Sequence, residues 1–312
     1  MKKQIYFYIT FISLLFIIQG CQDFEEIETP DFNVIIPTQV KVGEPVNFKI
    51  ENAPNFVKFY AGDLNHKYIY RDRFNAEGTV TMSFLAAQNY QNGTSLSNPG
   101  LSILYSTDYN GSSTPTSVTA ANWTDISDKF TLPTLRTYNW TDSGVADITE
   151  LTSEKKPVHI AFKVKSDGKI SDGNRQGEYR MNNFRIQLTL ADGGNVLDIA
   201  NIESTNWQTV NVLGDNSDTN KDQWLYWTND FFRMNGTSAD YSNEDWLITS
   251  SIDLTKVSPD NGTPLKAYSD KLETFSYTYT KAGIYTITFI GNNTTVYDSK
   301  QLIKEYTITV VN

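Results

Sequence analysis

The chain has 312 residues, with 36 acidic side chains against 26 basic ones and a net charge of −10. That balance argues against nucleic acid, whose phosphates demand a Lys/Arg face, and against electrostatic adhesion to anionic lipid. With one cysteine, Cys21, no intrachain disulfide can staple the fold, so it must hold together by burying apolar surface.

The N-terminus reads Met1-Lys2-Lys3, an apolar run from Ile5 to Ile18, then Gln19-Gly20-Cys21. As a helix that run would reach about 21 Å, well short of a hydrocarbon core of about 30 Å. It fits a signal-peptide core behind a basic start. The pattern resembles a bacterial lipoprotein signal, which implies cleavage after Gly20 and acylation of Cys21 with a diacylglycerol and an N-acyl chain. The alternative is an ordinary signal peptide with an incidental cysteine. No other apolar run approaches 18 residues, so attachment to a membrane would be through lipid, durable once two or three chains are present. Residues 1–20 are thus expected to leave, and 21–31 to form an acidic tether carrying Asp23, Glu25, Glu26, Glu28 and Asp31. Acids directly after the cysteine resemble the export signal of lipoproteins sent to the cell exterior. This implies an outer-membrane, surface-exposed location, with the periplasmic face as the other option.

Beyond the tether the composition is that of an all-β protein. Aromatics make up 13% of the chain, and aromatic and β-branched side chains suit a pleated, half-buried surface. Short alternating runs begin at once: Val46, Phe48 and Ile50, then Val57 and Phe59, then Tyr68 and Tyr70. The segment from Phe32 to Arg71 holds about four such strands, too little for a self-sufficient core.

Residues 74–262 also read as strands. Val80, Met82 and Phe84 alternate, as do Val158, Ile160, Phe162 and Val164, and Phe184, Ile186, Leu188 and Leu190. Asn110-Gly111, Asp172-Gly173 and Asp192-Gly193 mark turns. Roughly nine or ten strands of this kind suit a jelly roll. Two strings, Leu101–Gly111 with Asn122-Trp123-Thr124-Asp125-Ile126, and Glu244-Asp245-Trp246 continuing to Asp253-Leu254, resemble the choice-of-anchor or cleaved-adhesin jelly rolls. Trp123 and Trp246, inside these strings, are expected in the core.

At the C-terminus Phe275, Tyr277 and Tyr279 alternate, Lys281-Ala282-Gly283 turns, and 284–290 and 306–311 are strands. Tyr277-Thr-Tyr279-Thr-Lys-Ala-Gly283-Ile-Tyr285-Thr-Ile287 resembles the closing strands of a PKD-type immunoglobulin-like domain, as does Val42-Gly43-Glu44-Pro45-Val46-Asn-Phe48 with Phe59-Tyr60-Ala61-Gly62-Asp63. The economical reading joins the two ends, residues 32–73 and 263–312, into one PKD/Ig-like sandwich with 74–262 inserted. The alternative is a series of consecutive domains. As a whole the chain resembles a family of Bacteroidota surface lipoproteins of unknown function.

Candidate chemistry is sparse. His66 and His159 are dispersed, and acylation would remove the only thiol. Zinc therefore lacks its usual ligands. Glu150, Glu154, Glu178, Glu203 and Glu244 could supply a glycosidase pair, but the required separation is invisible in sequence. Asp218-Thr-Asn220-Lys-Asp222, with Asp215 nearby, spaces oxygens as hard-cation loops do and is a candidate for structural calcium. It has Gln223 where an EF-hand has glycine, and Asn229 at the twelfth position. Aromatics are the strongest ligand surface, because sugar rings pack an apolar C–H face on Trp or Tyr. Tyr138, Trp140, Trp224, Tyr226 and Trp227 are the candidates, with Trp224 and Tyr226 on one strand face and Trp227 on the other. The expected function is a non-catalytic, lipid-anchored surface protein that binds polysaccharide beside an outer-membrane importer. An adhesin or structural partner of another protein is the alternative, and a glycan-degrading enzyme a third.

Overall fold

The computed structural model describes residues 26–89, 100–134, 137–166, 177–214, 223–227, 231–235 and 242–312. Cys21 lies outside them, as do Asp215, Asp218, Asn220 and Asp222 of the calcium candidate and the Asp172-Gly173 turn. The protein is all-β. In chain order the described strands are β1 (Asn33–Ile35), β2 (Gln39–Lys41), β3 (Pro45–Glu51), β4 (Phe56–Tyr60), β5 (Gly78–Asn89), β6 (Leu101–Ser106) and β7 (Thr124–Asp125). Then come β8 (Thr137–Asp142), β9 (Ala146–Asp147), β10 (His159–Ser166), β11 (Glu178–Leu190), β12 (Val196–Asn201), β13 (Trp207–Leu213) and β14 (Trp224–Trp227). The last are β15 (Phe231–Met234), β16 (Asn243–Thr249), β17 (Thr263–Lys266), β18 (Thr274–Thr278), β19 (Gly283–Thr294) and β20 (Ser299–Val311). They form two compact units. One takes the chain up to Arg73 and again from Pro259 to Asn312; the other is Phe74–Ser258.

In the first unit a sheet of order β1-β3-β18 faces one of order β17-β4-β19-β20-β2. The two ends of the chain are interleaved in both. Val46 and Phe48 of β3 stand opposite Tyr277 and Phe275 of β18, and Phe59 of β4 stands opposite Phe289 of β19. The alternation of β3 sends Val46, Phe48 and Ile50 inward, where Phe48 meets the rings of Phe59 and Phe289 at 5.4 and 5.5 Å. All β pairings in this unit are antiparallel except β2 with β20.

Three local expectations change here. Tyr68–Tyr70 is a 3-10 turn, not a strand. Arg71 and Arg73 lie over the rings of Tyr68 and Tyr70, at 4.1 and 3.7 Å, a local stacking that competes with extended pairing. The chain re-enters this unit at Pro259, four residues before the expected 263. Asp260 is the cause: its buried carboxylate accepts the Lys67 N–H at 2.9 Å, and its own N–H donates to the Tyr70 carbonyl. The described part of the acidic tether, 26–31, is not free either. Ile27 and Pro30 are buried, and Phe32 enters the core. Apolar residues placed among the acids pull this stretch onto the sandwich.

The second unit packs a sheet of order β13-β16-β10-β6-β7 against one of order β14-β15-β11-β5-β8, with β12 added on β11 and β9 on β5. Between them lie Val80, Met82 and Phe84 from β5, Ile160, Phe162 and Val164 from β10, and Phe184, Ile186, Leu188 and Leu190 from β11. Phe84 meets Phe162 edge to face at 5.0 Å. The first of these sheets is also covered on its outer face. Trp246 and Tyr109 are buried there with Val118 from the short helix Pro115–Ala120, and the Trp123 ring lies tilted against Trp246 at 5.0 Å. Trp123 and Trp246 therefore belong to this second cluster rather than to the core between the sheets. Asn110-Gly111, with Gly111 at φ +77°, is followed by this helix before the next strand. Thr114 caps that helix by accepting the Ser117 N–H, with proline at the first turn. Asp108 fastens the strand end beneath it, accepting from Ser106 Oγ and from the backbone and side chain of Asn122, which hold its carboxyl below the usual carboxylate range.

Candidate functional site

The sheet β14-β15-β11-β5-β8 has one face in the core and one outside, and period two assigns side chains to each. On β11, Tyr179 and Met181 go inward, leaving Glu178 and Arg180 on the outer face. On β15, Phe232 and Met234 go inward, leaving Phe231 and Arg233 outside. Arg180 stands directly opposite Arg233, and Phe231 opposite Trp227 of β14. On the other flank, the pairing of β5 with β8 slips: Gln88 faces Thr137 but Ala86 faces Thr141. A bulge of this kind re-aims side chains, and here Tyr138 and Trp140 both reach the arginine side of the sheet.

The resulting plate alternates rings and guanidiniums. The Arg180 guanidinium lies 4.0 Å from the Tyr138 ring centre and 5.2 Å from that of Phe231. Arg233 lies 4.8 Å from Trp227, and Trp140 meets Phe231 edge on at 5.7 Å. Beneath them Glu178, only 1% exposed, accepts Arg180 Nε at 2.7 Å and Arg233 Nη2 at 2.8 Å, one on each carboxylate oxygen. Two guanidiniums paired across neighbouring strands repel, and this carboxylate offsets the repulsion. Each guanidinium carries five N–H donors, of which Glu178 engages one. Tyr138, Trp140 and Trp227 remain 38–41% exposed. Ring faces beside hydrogen-bond donors can hold a ligand that is apolar on one side and hydroxylated at its edge.

The five aromatic candidates thus divide. Tyr138, Trp140 and Trp227 come together on this plate. Tyr226 belongs to the opposite strand face and packs on Phe232 at 5.0 Å. Trp224 is 1% exposed inside the core, because β14 pairs with β15 so that Trp224 sits beside the buried Met234. It presents no surface to a ligand. Sequence reasoning missed Arg180, Arg233 and Phe231, and named Glu178 only among the acids of a possible glycosidase pair, whereas its carboxylate holds both arginines. The available signal was the alternation in Glu178-Tyr179-Arg180-Met181 and Phe231-Phe232-Arg233-Met234.

Other candidate groups have structural partners. Glu150 pairs with Lys129 at 2.7 Å, Glu154 with Lys156 at 3.1 Å, and Glu244 with Lys163 at 3.4 Å and the Trp246 indole N–H at 2.9 Å. Glu203 lies in an exposed turn, its N–H donating to Asn201 Oδ1. His159 is buried, its Nδ1 2.8 Å from the Thr249 carbonyl and its ring edge on to Tyr109. His66 Nδ1 lies 2.8 Å from Asp63. Among the described residues there is no cluster of three His, Cys, Asp or Glu side chains suited to a metal, and no helix long and apolar enough to cross a membrane.

Compared with known protein families, residues 20–207 match the domain of unknown function DUF5017, more than half of the chain. The chain belongs to that family. The DUF5017 match begins one residue before Cys21 and ends at Trp207, the first residue of β13. It takes in Tyr138, Trp140, Glu178 and Arg180, and stops before β14 and β15, which complete the plate. No curated protein and no solved structure matches the chain.

Proposed function

We propose that this DUF5017 protein is a non-catalytic, lipid-anchored surface protein that binds glycan and serves an outer-membrane nutrient importer. In this reading Cys21 carries the lipid, the first unit is a PKD/Ig-like spacer, and the second is a jelly roll that presents the ligand. The observation carrying the proposal is the plate of Tyr138, Trp140 and Trp227 beside Arg180 and Arg233. Exposed tryptophan faces suit the C–H face of a pyranose, and guanidinium N–H groups suit its hydroxyls.

The test is affinity electrophoresis of the folded protein through gels containing a panel of polysaccharides, followed by a reducing-end assay. Retardation by at least one polysaccharide, lost in Trp140→Ala and Trp227→Ala, with no reducing ends released, supports the proposal. Absence of retardation across the panel overturns glycan binding, and release of reducing ends overturns the non-catalytic part. A protein partner is the second reading, because Trp, Tyr and Arg also dominate protein–protein hot spots. Its mark would be a crosslinked partner on intact cells that survives competition by soluble sugars and is lost in the same two variants.

A further inference from the structure

The longest feature of the first unit is the β19–β20 hairpin, paired without a register shift from Gly283↔Val310 to Thr294↔Ser299. Its turn closes with the Thr295 N–H donating to the Asp298 carbonyl at 2.9 Å. The two residues between are Val296 and Tyr297, 89% and 72% exposed. Val296 is the most exposed large apolar side chain among the described residues. Burial in this unit's core does not explain it.

The path of the N-terminal segment says what lies beside this tip. Phe32 packs against Gly291. Four residues earlier, the Glu28 carbonyl accepts from Asn293 Nδ2 at 3.0 Å. Two residues earlier still, Glu26 pairs with Lys300 at 3.5 Å. Followed toward the N-terminus, the chain climbs the hairpin from Gly291 to the residues flanking the turn. Cys21 lies five residues beyond Glu26, no more than about 18 Å of chain.

We propose that the Val296–Tyr297 tip enters the headgroup region of the lipid leaflet that holds acylated Cys21, and so orients the first unit on the membrane. This rests on the lipid-anchor reading above. A tyrosine suits the bilayer interface, where its ring is buried and its hydroxyl stays wet, and the neighbouring valine adds apolar area. Thr294, Thr295 and Ser299 around them are uncharged, and the nearest cation, Lys300, is occupied by Glu26. With that pair neutral, Glu28 and Asp298 leave negative charge at this end, which favours a zwitterionic surface over an anionic one. The acyl chains supply the affinity and two side chains supply only the orientation.

The test uses the full acylated protein in vesicles of phosphatidylcholine and phosphatidylethanolamine. Because acylation consumes the only native thiol, Val296→Cys offers a single labelling site for an environment-sensitive fluorophore. Ile284→Cys, ten residues before Thr294 at the turn end of β19 and so about 34 Å down the strand, is the control. Both positions are exposed, so labelling leaves the core intact. The expected result is that both proteins float with the vesicles, but only the Val296→Cys label shifts to the blue and is quenched by doxyl-labelled lipid. Flotation with the two labels behaving alike overturns the proposal while leaving the anchor standing. A blue shift without lipid quenching overturns it in favour of contact with a second copy. Failure to float, with an unmodified Cys21 peptide by mass spectrometry, overturns the anchor reading and this proposal with it.

Discussion

Arg233 Nη2 donates a 2.8 Å hydrogen bond to the buried carboxylate of Glu178, 55 positions earlier in the chain. Arg180 takes the other oxygen of the same carboxylate, so one buried acid holds two arginines from neighbouring strands. The acid is the buried partner, whereas both arginine side chains keep about a fifth of their surface in water. Removing both arginines by Arg180→Met and Arg233→Met strands a buried charge and is expected to cost about 3–5 kcal/mol. Glu178→Gln leaves the arginines a route to solvent and is expected to cost about 1–2 kcal/mol. Denaturant unfolding followed by tryptophan fluorescence measures this cleanly, since all six tryptophans lie in the second unit. The opposite ranking would show that the carboxylate does not hold the pair together.

The two kinds of tryptophan on β14 and β8 should separate stability from binding. Trp224→Ala empties a core position and is expected to lower stability by about 3–5 kcal/mol. Trp140→Ala and Trp227→Ala remove half-exposed rings and are expected to leave the midpoint within about 1 kcal/mol. Loss of one stacking ring should weaken polysaccharide retention about tenfold. Circular dichroism and affinity electrophoresis on the same samples distinguish the two classes.

Alkaline pH should act on the first unit through half-buried Tyr277 and buried Tyr279. Burial, and then the hydrogen bond to Asp63, hold the Tyr277 hydroxyl far above the usual tyrosine range; burial does the same for Tyr279, whose hydroxyl donates to the Ala61 carbonyl. The folded state therefore keeps these protons where the unfolded chain would lose them near pH 10. The stability linked to them is complete below about pH 10 and is lost as pH rises beyond it. Absorbance at 295 nm should show exposed tyrosines titrating near pH 10 and a later, cooperative rise as this unit opens. Tyr277→Phe, which deletes the 2.6 Å bond to Asp63, should flatten that alkaline dependence and cost about 1.5 kcal/mol at neutral pH.

Gly62 combines two demands that only glycine meets. Its φ is +79°, and a Cβ there would fall on the backbone carbonyl of Thr286 in β19. Gly62→Ala is expected to destabilise the first unit by about 3 kcal/mol, the sum of left-handed strain and a backbone displaced from its sheet neighbour. Gly43, at φ +81° with open space around it, should tolerate alanine at a cost of about 1 kcal/mol. The comparison separates close approach from conformational strain.

Period-two alternation is a local property, and it sufficed to assign the all-β class and to mark Phe184, Ile186, Leu188 and Leu190, or Val80, Met82 and Phe84, as core. It also placed Trp224 and Trp227 on opposite faces of one strand. Which of those faces met the core depended on the partner strand, because the pairing of Trp224 with Met234 is a contact between two strands and not a pattern within a run. The same limit hid the plate. Tyr138, Glu178, Arg180, Trp227 and Arg233 come from four strands, and only sheet order and the β5–β8 bulge bring them within reach of one another. Three alternating residues fit a strand as well as a turn, and Tyr68–Tyr70 turns, with Arg71 and Arg73 over its rings. Alternation is written residue by residue and can be read without a fold. Proximity across strands is a property of register, which packing decides.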